Sequence, residues 1–381
     1  VTRLQIHNFR AIEDLTLDLG AKNLLMGRNG CGKTSVFDAL AALRSFLIDG
    51  AKCEEVFPLE SIPRWLRNGV PQRFRQTFHM HIDANDAPLH YELVIEQDEI
   101  KGRSGVLSET LRDDGLLFAF VEGKVTLYGD DHSQGPTYAS DSEASAMKLV
   151  PSSQDNVKLT AFKERLRNTL CLRIDAPGIS ARSEKESADL NRDLSNFASW
   201  YRRALVANAS AGAEFLAAVR QVIGGMEGLN LSKLGQGIMV LQAAFKRTGE
   251  TVGKPSGKNG KSFRLDFNEL SHGQQSLIAL YALLHFVVRE DSTLCIDEPD
   301  NFVALAEIQP WLFGVQDRVD DLGAQVLIAS HHPELLNMLA PDHGIVLERD
   351  GAGPTTTRRY SGDAGSDLTP GERVARGWDR G

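Results

Sequence analysis

Eight consecutive residues, Gly27-Arg28-Asn29-Gly30-Cys31-Gly32-Lys33-Thr34, have the composition needed to hold a polyphosphate. Glycines at 27, 30 and 32 let the backbone turn tightly and aim its N–H groups at phosphate oxygens. A helix expected from Ser35 onward adds its positive N-terminal end. Lys33 is expected to reach the β- and γ-phosphates, and the Thr34 hydroxyl to ligate Mg2+. The expected ligands are therefore ATP and Mg2+, held by Gly27, Arg28, Asn29, Gly30, Cys31, Gly32, Lys33, Thr34 and Ser35.

Far downstream, Thr293-Leu294-Cys295-Ile296-Asp297-Glu298-Pro299 reads as an apolar strand ending in two carboxylates. Packing does not explain such a pair, because burying charge is costly. Asp297 is expected to hold the metal's shell through water, and Glu298 to polarise an attacking water as the catalytic residue. Before it comes Leu270-Ser271-His272-Gly273-Gln274-Gln275, directly ahead of an apolar helix. Ser271 and the N–H groups after it suit an anion at a helix N-terminus, although Ser is also a favoured N-cap. Ala329-Ser330-His331-His332-Pro333 puts a histidine just past a core strand. Either His331 or His332 stands at that strand end, where a histidine also reads as structural.

The elements that must position these groups follow from periodicity. Residues 4–9 and 15–19 alternate apolar and polar, as half-buried strands do. Residues 23–26 are a short apolar run leading into the glycine loop. Val36, Leu40, Leu43, Phe46 and Leu47 then recur at helical spacing over 35–48. Strands are expected at 77–83, 89–96, 107–111, 116–121 and 124–128, the first two joined by a turn over 84–87, and an exposed loop at 129–142. Helical periods cover 158–167 and 190–222. Residues 238–245 and 263–267 read as a strand pair around a basic loop at 253–261. Residues 276–288 are apolar nearly all round, hence a buried helix, and 325–329 and 344–348 are short strands. The organisation expected is 1–150 as an N-terminal lobe with phosphate loop and antiparallel sheet, 151–235 as a helical insertion, 236–360 as a C-terminal lobe, and 361–381 as a tail.

The 381 residues carry a net charge of −9 with 42% hydrophobic and 24% charged content, which argues against a generally basic nucleic-acid coat but leaves room for a basic groove. Two local clusters qualify: Lys246, Arg247, Lys254, Lys258, Lys261 and Arg264, and Lys158, Lys163, Arg165 and Arg167. The first also reads as a solvated hairpin loop and the second as a solvated helix face. The four cysteines lack the paired spacing of a zinc or disulfide framework. With no signal-like apolar core at the N-terminus and no bilayer-length apolar stretch, the expectation is a cytoplasmic chain without a membrane partner.

Together these motifs resemble the RecF- and OLD-like branch of ABC-type ATPases, often labelled predicted AAA-type ATP-binding proteins. Leu4-Gln5-Ile6-His7-Asn8-Phe9-Arg10 matches that group's opening L-x-I-x-N-F-R, and 270–274 its signature L-S-x-G-Q. Glu298-Pro299-Asp300-Asn301 is similar to its E-P-E-x, and Ser330-His331-His332-Pro333 to its T-H-S-P. The resemblance implies an α/β fold, an ABC-type ATPase head with a P-loop mixed sheet, an antiparallel β subdomain and a helical insertion. It implies a homodimer on ATP binding, in which Ser271, Gly273 and Gln274 bind the γ-phosphate of the ATP held by the other protomer. It implies a second catalytic-site residue, a switch histidine that contacts the γ-phosphate, matched by His331 with His332 the alternative. Two departures stand out: Phe302-Val303-Ala304-Leu305 replaces the group's leucine-histidine-proline, and the Q-loop glutamine has two candidates, Gln76 and Gln97, either of which also reads as a surface residue. The chain is expected to lack the Toprim nuclease domain of OLD-type proteins, leaving ATP hydrolysis as its chemistry. The expected role is a switch in nucleic-acid processing, such as phage defence with a partner nuclease or effector, on DNA or RNA. A RecF-like DNA-repair ATPase and a transporter ATPase subunit are the alternatives.

Overall fold

The computed structural model describes residues 1–67, 69–84, 87–235, 237–246, 262–351, 353–361 and 368–376. Two compact units emerge: Val1–Cys171 with Asp291–Cys295 and Gln325–Gly381, and Leu172–Glu290 with Ile296–Ala324.

In the first unit, a six-stranded sheet runs in the order Thr169–Arg173, Thr293–Asp297, Gln325–Ala329, Lys22–Met26, Gly344–Arg349, Thr355–Arg359. The last residues of its first two strands count with the second unit. Lys22–Met26 is parallel to both Gln325–Ala329 and Gly344–Arg349. Strands buried on both faces read as continuous apolar runs, and Leu24, Leu25 and Met26 are buried accordingly. The helix Lys33–Arg44 follows the glycine loop and sinks Val36, Phe37, Leu40 and Leu43 into the core. A π-turn at Ser45–Asp49 extends it until Gly50, at φ 75°, closes it.

An eight-stranded antiparallel sheet completes this unit: Ile12–Asp18, Arg3–Phe9, Arg73–Ala84, Ala87–Asp98, Arg103–Arg112, Leu116–Val121, Lys124–Tyr128, Gln134–Ala139. Alternation puts Leu4, Ile6, Phe78, Met80, Leu93 and Ile95 inside. The same core buries Glu109. Its Oε1 accepts from the Tyr91 hydroxyl at 3.1 Å and the Ser145 hydroxyl at 2.6 Å. Its Oε2 meets no hydrogen-bond donor among the described residues. Burial pushes the Glu109 carboxyl up to about 7.

The second unit holds a smaller antiparallel sheet, in which Met239–Lys246 pairs along one edge with Met226–Lys233 and along the other with Arg182–Ser183 and then Ser262–Asp266. The expected pair at 238–245 and 263–267 is therefore present. Helices Phe197–Ala207 and Ala209–Val222 pack their rings around the helix His272–Phe286: Tyr201 meets Phe215 at 5.6 Å and Phe286 at 6.0 Å. His272–Phe286 is buried from Gln275 to Leu284, as its all-round apolar pattern requires.

Three expectations change. The loop at 129–142 contains the edge strand Gln134–Ala139, every residue of which is exposed, so it carries no burial pattern. The helical stretch at 190–222 starts only at Phe197 and breaks at Asn208, whose side chain accepts from Ala211 N at 3.0 Å and caps a new helix. The helix Leu305–Leu322 was unmarked, because Pro310 lies inside it. The turn at 85–86, the basic loop at 253–261 and most of the tail lie outside the described residues.

Candidate functional site

The loop 27–34 takes the shape its glycines permit. Gly27, Gly30 and Gly32 have φ of 144°, 81° and 105°. Only two of the three are also sterically confined. A Cβ on Gly27 would run into the Leu347 carbonyl, and one on Gly32 would stand 2.8 Å from Thr355 Oγ1, whereas Gly30 has open space. Thr355 is fully buried and its hydroxyl is bonded to the Ala11 and Cys31 carbonyls at 3.0 and 2.9 Å. It ties the loop to the turn after Arg3–Phe9, a role that no motif announced.

Lys33 is buried, and its ammonium donates to the Gly27 carbonyl at 2.7 Å and the Arg28 carbonyl at 3.3 Å. His331 Nε2 lies 2.9 Å from the same ammonium. An ammonium only donates, so Nε2 is the acceptor and that ring nitrogen carries no proton. The meeting follows from topology: the glycine loop and Ser330-His331 leave the C-terminal ends of two adjacent parallel strands. His332 turns elsewhere, its Nδ1 accepting from Glu334 N at 3.3 Å as the cap of the helix Pro333–His343. Arg28, Asn29 and Thr34 are exposed at the mouth, and Ser35 is buried behind them. Burial pushes the Cys31 thiol up despite the Lys33 ammonium beside it.

The opening motif also has a structural basis. Asn8 and Arg10 sit at φ 59° and 54°; Asn8 Nδ2 donates to the Arg75 carbonyl at 2.9 Å, and Arg10 pairs with the buried Asp38 of the helix Lys33–Arg44. The two Q-loop candidates are corrected as surface residues: Gln76 and Gln97 are both buried. Gln76 Nε2 donates to the Asn8 carbonyl and Ser61 Oγ at 2.9 Å each, and Gln97 Nε2 to Gln76 Oε1 at 3.0 Å. Both amides are spent on a core network.

In the second unit, Ser271 caps the helix His272–Phe286 through a reciprocal box. Ser271 Oγ accepts from Gln274 N at 3.3 Å, and Gln274 Oε1 accepts from Ser271 N at 3.1 Å. Ser271 and His272 are exposed, while Gly273 and Gln274 are half-buried. Gly273 is required by a close approach, since a Cβ there would stand 2.7 Å from the Phe302 carbonyl. The His272 and Phe302 rings meet edge to face at 5.3 Å. Phe302 belongs to the turn that follows the carboxylate pair. Asp297 is buried at the end of its strand, and Glu298 is half-buried at φ 52°, a conformation that L-residues with side chains enter at a cost. Asn301 Nδ2 donates to Glu298 Oε2 at 3.1 Å and holds the carboxylate. Among the described residues no cluster of three or more His, Cys, Asp or Glu could hold a metal alone. Magnesium needs no such cluster when substrate phosphates and water supply most of its ligands, and the exposed Thr34 hydroxyl at the glycine loop suits it as one more.

The charged patches resolve unevenly. Lys158 bonds Asp113 at 2.5 Å, Lys163 donates to the Val150 carbonyl at 2.8 Å, Arg165 pairs with Asp291 at 2.8 Å, and Arg167 pairs with Glu164. That patch is spent on local structure. Of the other, Lys246 and Arg264 are exposed, and Arg247, Lys254, Lys258 and Lys261 lie outside the described residues. No helix among the described residues is long and apolar enough to cross a membrane.

A family model described as "AAA domain, putative AbiEii toxin, Type IV TA system" matches residues 22–337. No curated protein sequence matches the chain. Among solved structures, an Smc head bound to the C-terminal winged-helix domain of ScpA is similar over 94% of this chain and 98% of its own, with a TM-score of 0.50 and 11% identity. An Smc head with an extended coiled coil, bound to the C-terminal domain of ScpA and derived from Pyrococcus furiosus, is similar over 94% and 96%, with a TM-score of 0.51 and 11% identity. These likenesses show the fold alone: a mixed α/β head like that of Smc.

Proposed function

The chain belongs to the AAA domain family just described, and from that premise we propose that it binds and hydrolyses ATP as a switch that dimerises on the nucleotide. The observation that carries the reading is the glycine loop: three left-handed glycines and a buried lysine at the N-terminus of the helix Lys33–Arg44. Backbone N–H groups at such a helix start suit phosphate oxygens.

In this reading Gly27 through Ser35 hold the phosphates, Lys33 neutralises the β- and γ-phosphates, and Thr34 ligates magnesium. Asp297 orients the metal's water, and Glu298 accepts the proton of the attacking water. His331 leaves Lys33 and, by taking up a proton or changing tautomer, presents a ring N–H to the γ-phosphate. Ser271, Gly273 and Gln274 present the start of their helix to the ATP of a second copy. The exposure of Ser271 and His272, and of Phe302 beside them at 54%, supports an encounter with another surface. The output is the engagement of a partner effector or nuclease, or of DNA or RNA, in a cytoplasmic defence system. The ScpA-bound state of the similar Smc heads supports a protein partner.

Glu298→Gln tests the reading. Hydrolysis should fall by about 100-fold or more while ATP stays bound, because the side chain loses its basicity and keeps its size. Sedimentation should then find a dimer only with ATP. A variant that turns over ATP at the wild-type rate removes Glu298 from the chemistry.

A further inference from the structure

The proposed phosphate site says nothing of the nucleobase, and the first unit carries an assembly beside it that no motif explains. Trp65 lies in the short turn Arg64–Leu66, half-buried. Its indole N–H donates to Glu13 Oε2 at 3.0 Å, which fixes the ring's orientation. The Arg349 guanidinium sits over that ring, 5.0 Å from its centroid. Arg349 is itself anchored: Nε donates to the Gly353 carbonyl at 2.6 Å, and one terminal N–H to the Gly30 carbonyl at 3.3 Å, inside the phosphate loop. An oriented aromatic ring and the planar cation that lies over it thus sit side by side, the cation one hydrogen bond from the loop.

Stability alone does not account for this placement. Cation–π pairs at exposed sites contribute little, and the arginine is drawn to the carbonyl of the one loop glycine that faces open space. Planar guanidinium and indole surfaces are the groups on which bases stack, without need of sequence-specific hydrogen bonds. We propose that Trp65 and Arg349 form a stacking platform for the base of the nucleotide whose phosphates occupy residues 27–34, an inference that rests on the phosphate-site reading. Glu13 acts as a positioning residue for the indole. Stacking tolerates any purine, so the platform selects a nucleoside triphosphate over a bare polyphosphate rather than one base over another.

The experiment compares magnesium–ATP with magnesium–tripolyphosphate, which has the phosphates and no base, by titration calorimetry on the full chain. Trp65→Ala should weaken ATP on the order of tenfold and leave tripolyphosphate unchanged, and Trp65→Phe should recover most of the loss. Arg349→Lys keeps the charge and loses the plane, so it should also weaken ATP selectively. Indole emission of the wild type should change on adding ATP and not on adding tripolyphosphate, and Trp65→Phe should lose that change. Equal weakening of both ligands by Trp65→Ala would mean that the pair merely props the loop, and no change in either would mean that the base lies elsewhere; both overturn the platform. Lys33→Ala is the separate control: if it leaves tripolyphosphate binding intact, the phosphate-site reading itself has failed.

Discussion

The helices Lys33–Arg44 and His272–Phe286 both open on glycine-bearing segments, yet they are finished in different ways. The first start is completed from within its own unit. Thr355 braces Gly32 and Cys31, Leu347 closes on Gly27, and His331 accepts from Lys33. The second caps itself: the side chains of Ser271 and Gln274 satisfy each other's backbone, and Ser271 stays exposed. One is a cradle with walls; the other is a helix end that satisfies its own backbone and stays exposed. A motif with three glycines and one with a single glycine are thus finished differently, the first enclosed and the second exposed.

The comparison breaks most visibly at Ser271. Ser271→Asp keeps a good N-cap but sets a carboxylate where a partner's phosphate would arrive. ATP-dependent dimerisation should fall by about 100-fold, the scale of a like-charge clash of roughly 3 kcal/mol, while the thermal midpoint holds. Ser271→Ala should instead cost about 1 kcal/mol of stability through the lost cap. If the aspartate variant dimerises like the wild type in sedimentation runs, the exposed helix end is not a phosphate-meeting surface. The cradle is sharpened by its glycines. Gly27→Ala should destabilise by about 3 kcal/mol, since a left-handed backbone and a collision with the Leu347 carbonyl act together. Gly30→Ala meets open space and should cost only the backbone term, about 1 kcal/mol. Denaturant titrations giving equal losses would show that the walls at 27 contribute nothing.

The central sheet was legible in the sequence for a physical reason. Lys22–Met26, Thr293–Asp297 and Gln325–Ala329 are covered on both faces, and that burial writes itself as unbroken apolar runs. Gln134–Ala139 left no mark because an exposed edge strand needs only backbone partners. Glycine spacing exposed the phosphate loop, since residues with a Cβ enter such φ angles only at a cost. Gln76 and Gln97 misled because an isolated glutamine carries no record of burial; only the fold shows their amides facing Asn8, Ser61 and each other. Adjacent histidines at 331 and 332 are alike in sequence and separate only when one becomes a cap and the other meets Lys33. Trp65 and Arg349, distant along the chain, become a pair only through the sheet that brings Gly344–Arg349 alongside Lys22–Met26.

Glu109 gives the antiparallel sheet a proton balance. An unfolded chain releases this carboxyl's proton near the ordinary 4.5, whereas the folded one keeps it to about 7. Between those values the native state holds the extra proton, so the contribution to stability is complete below 4.5 and drains away as pH climbs to 7. Mild acid, which loosens most proteins by stripping their salt bridges, here tightens one wall of the core.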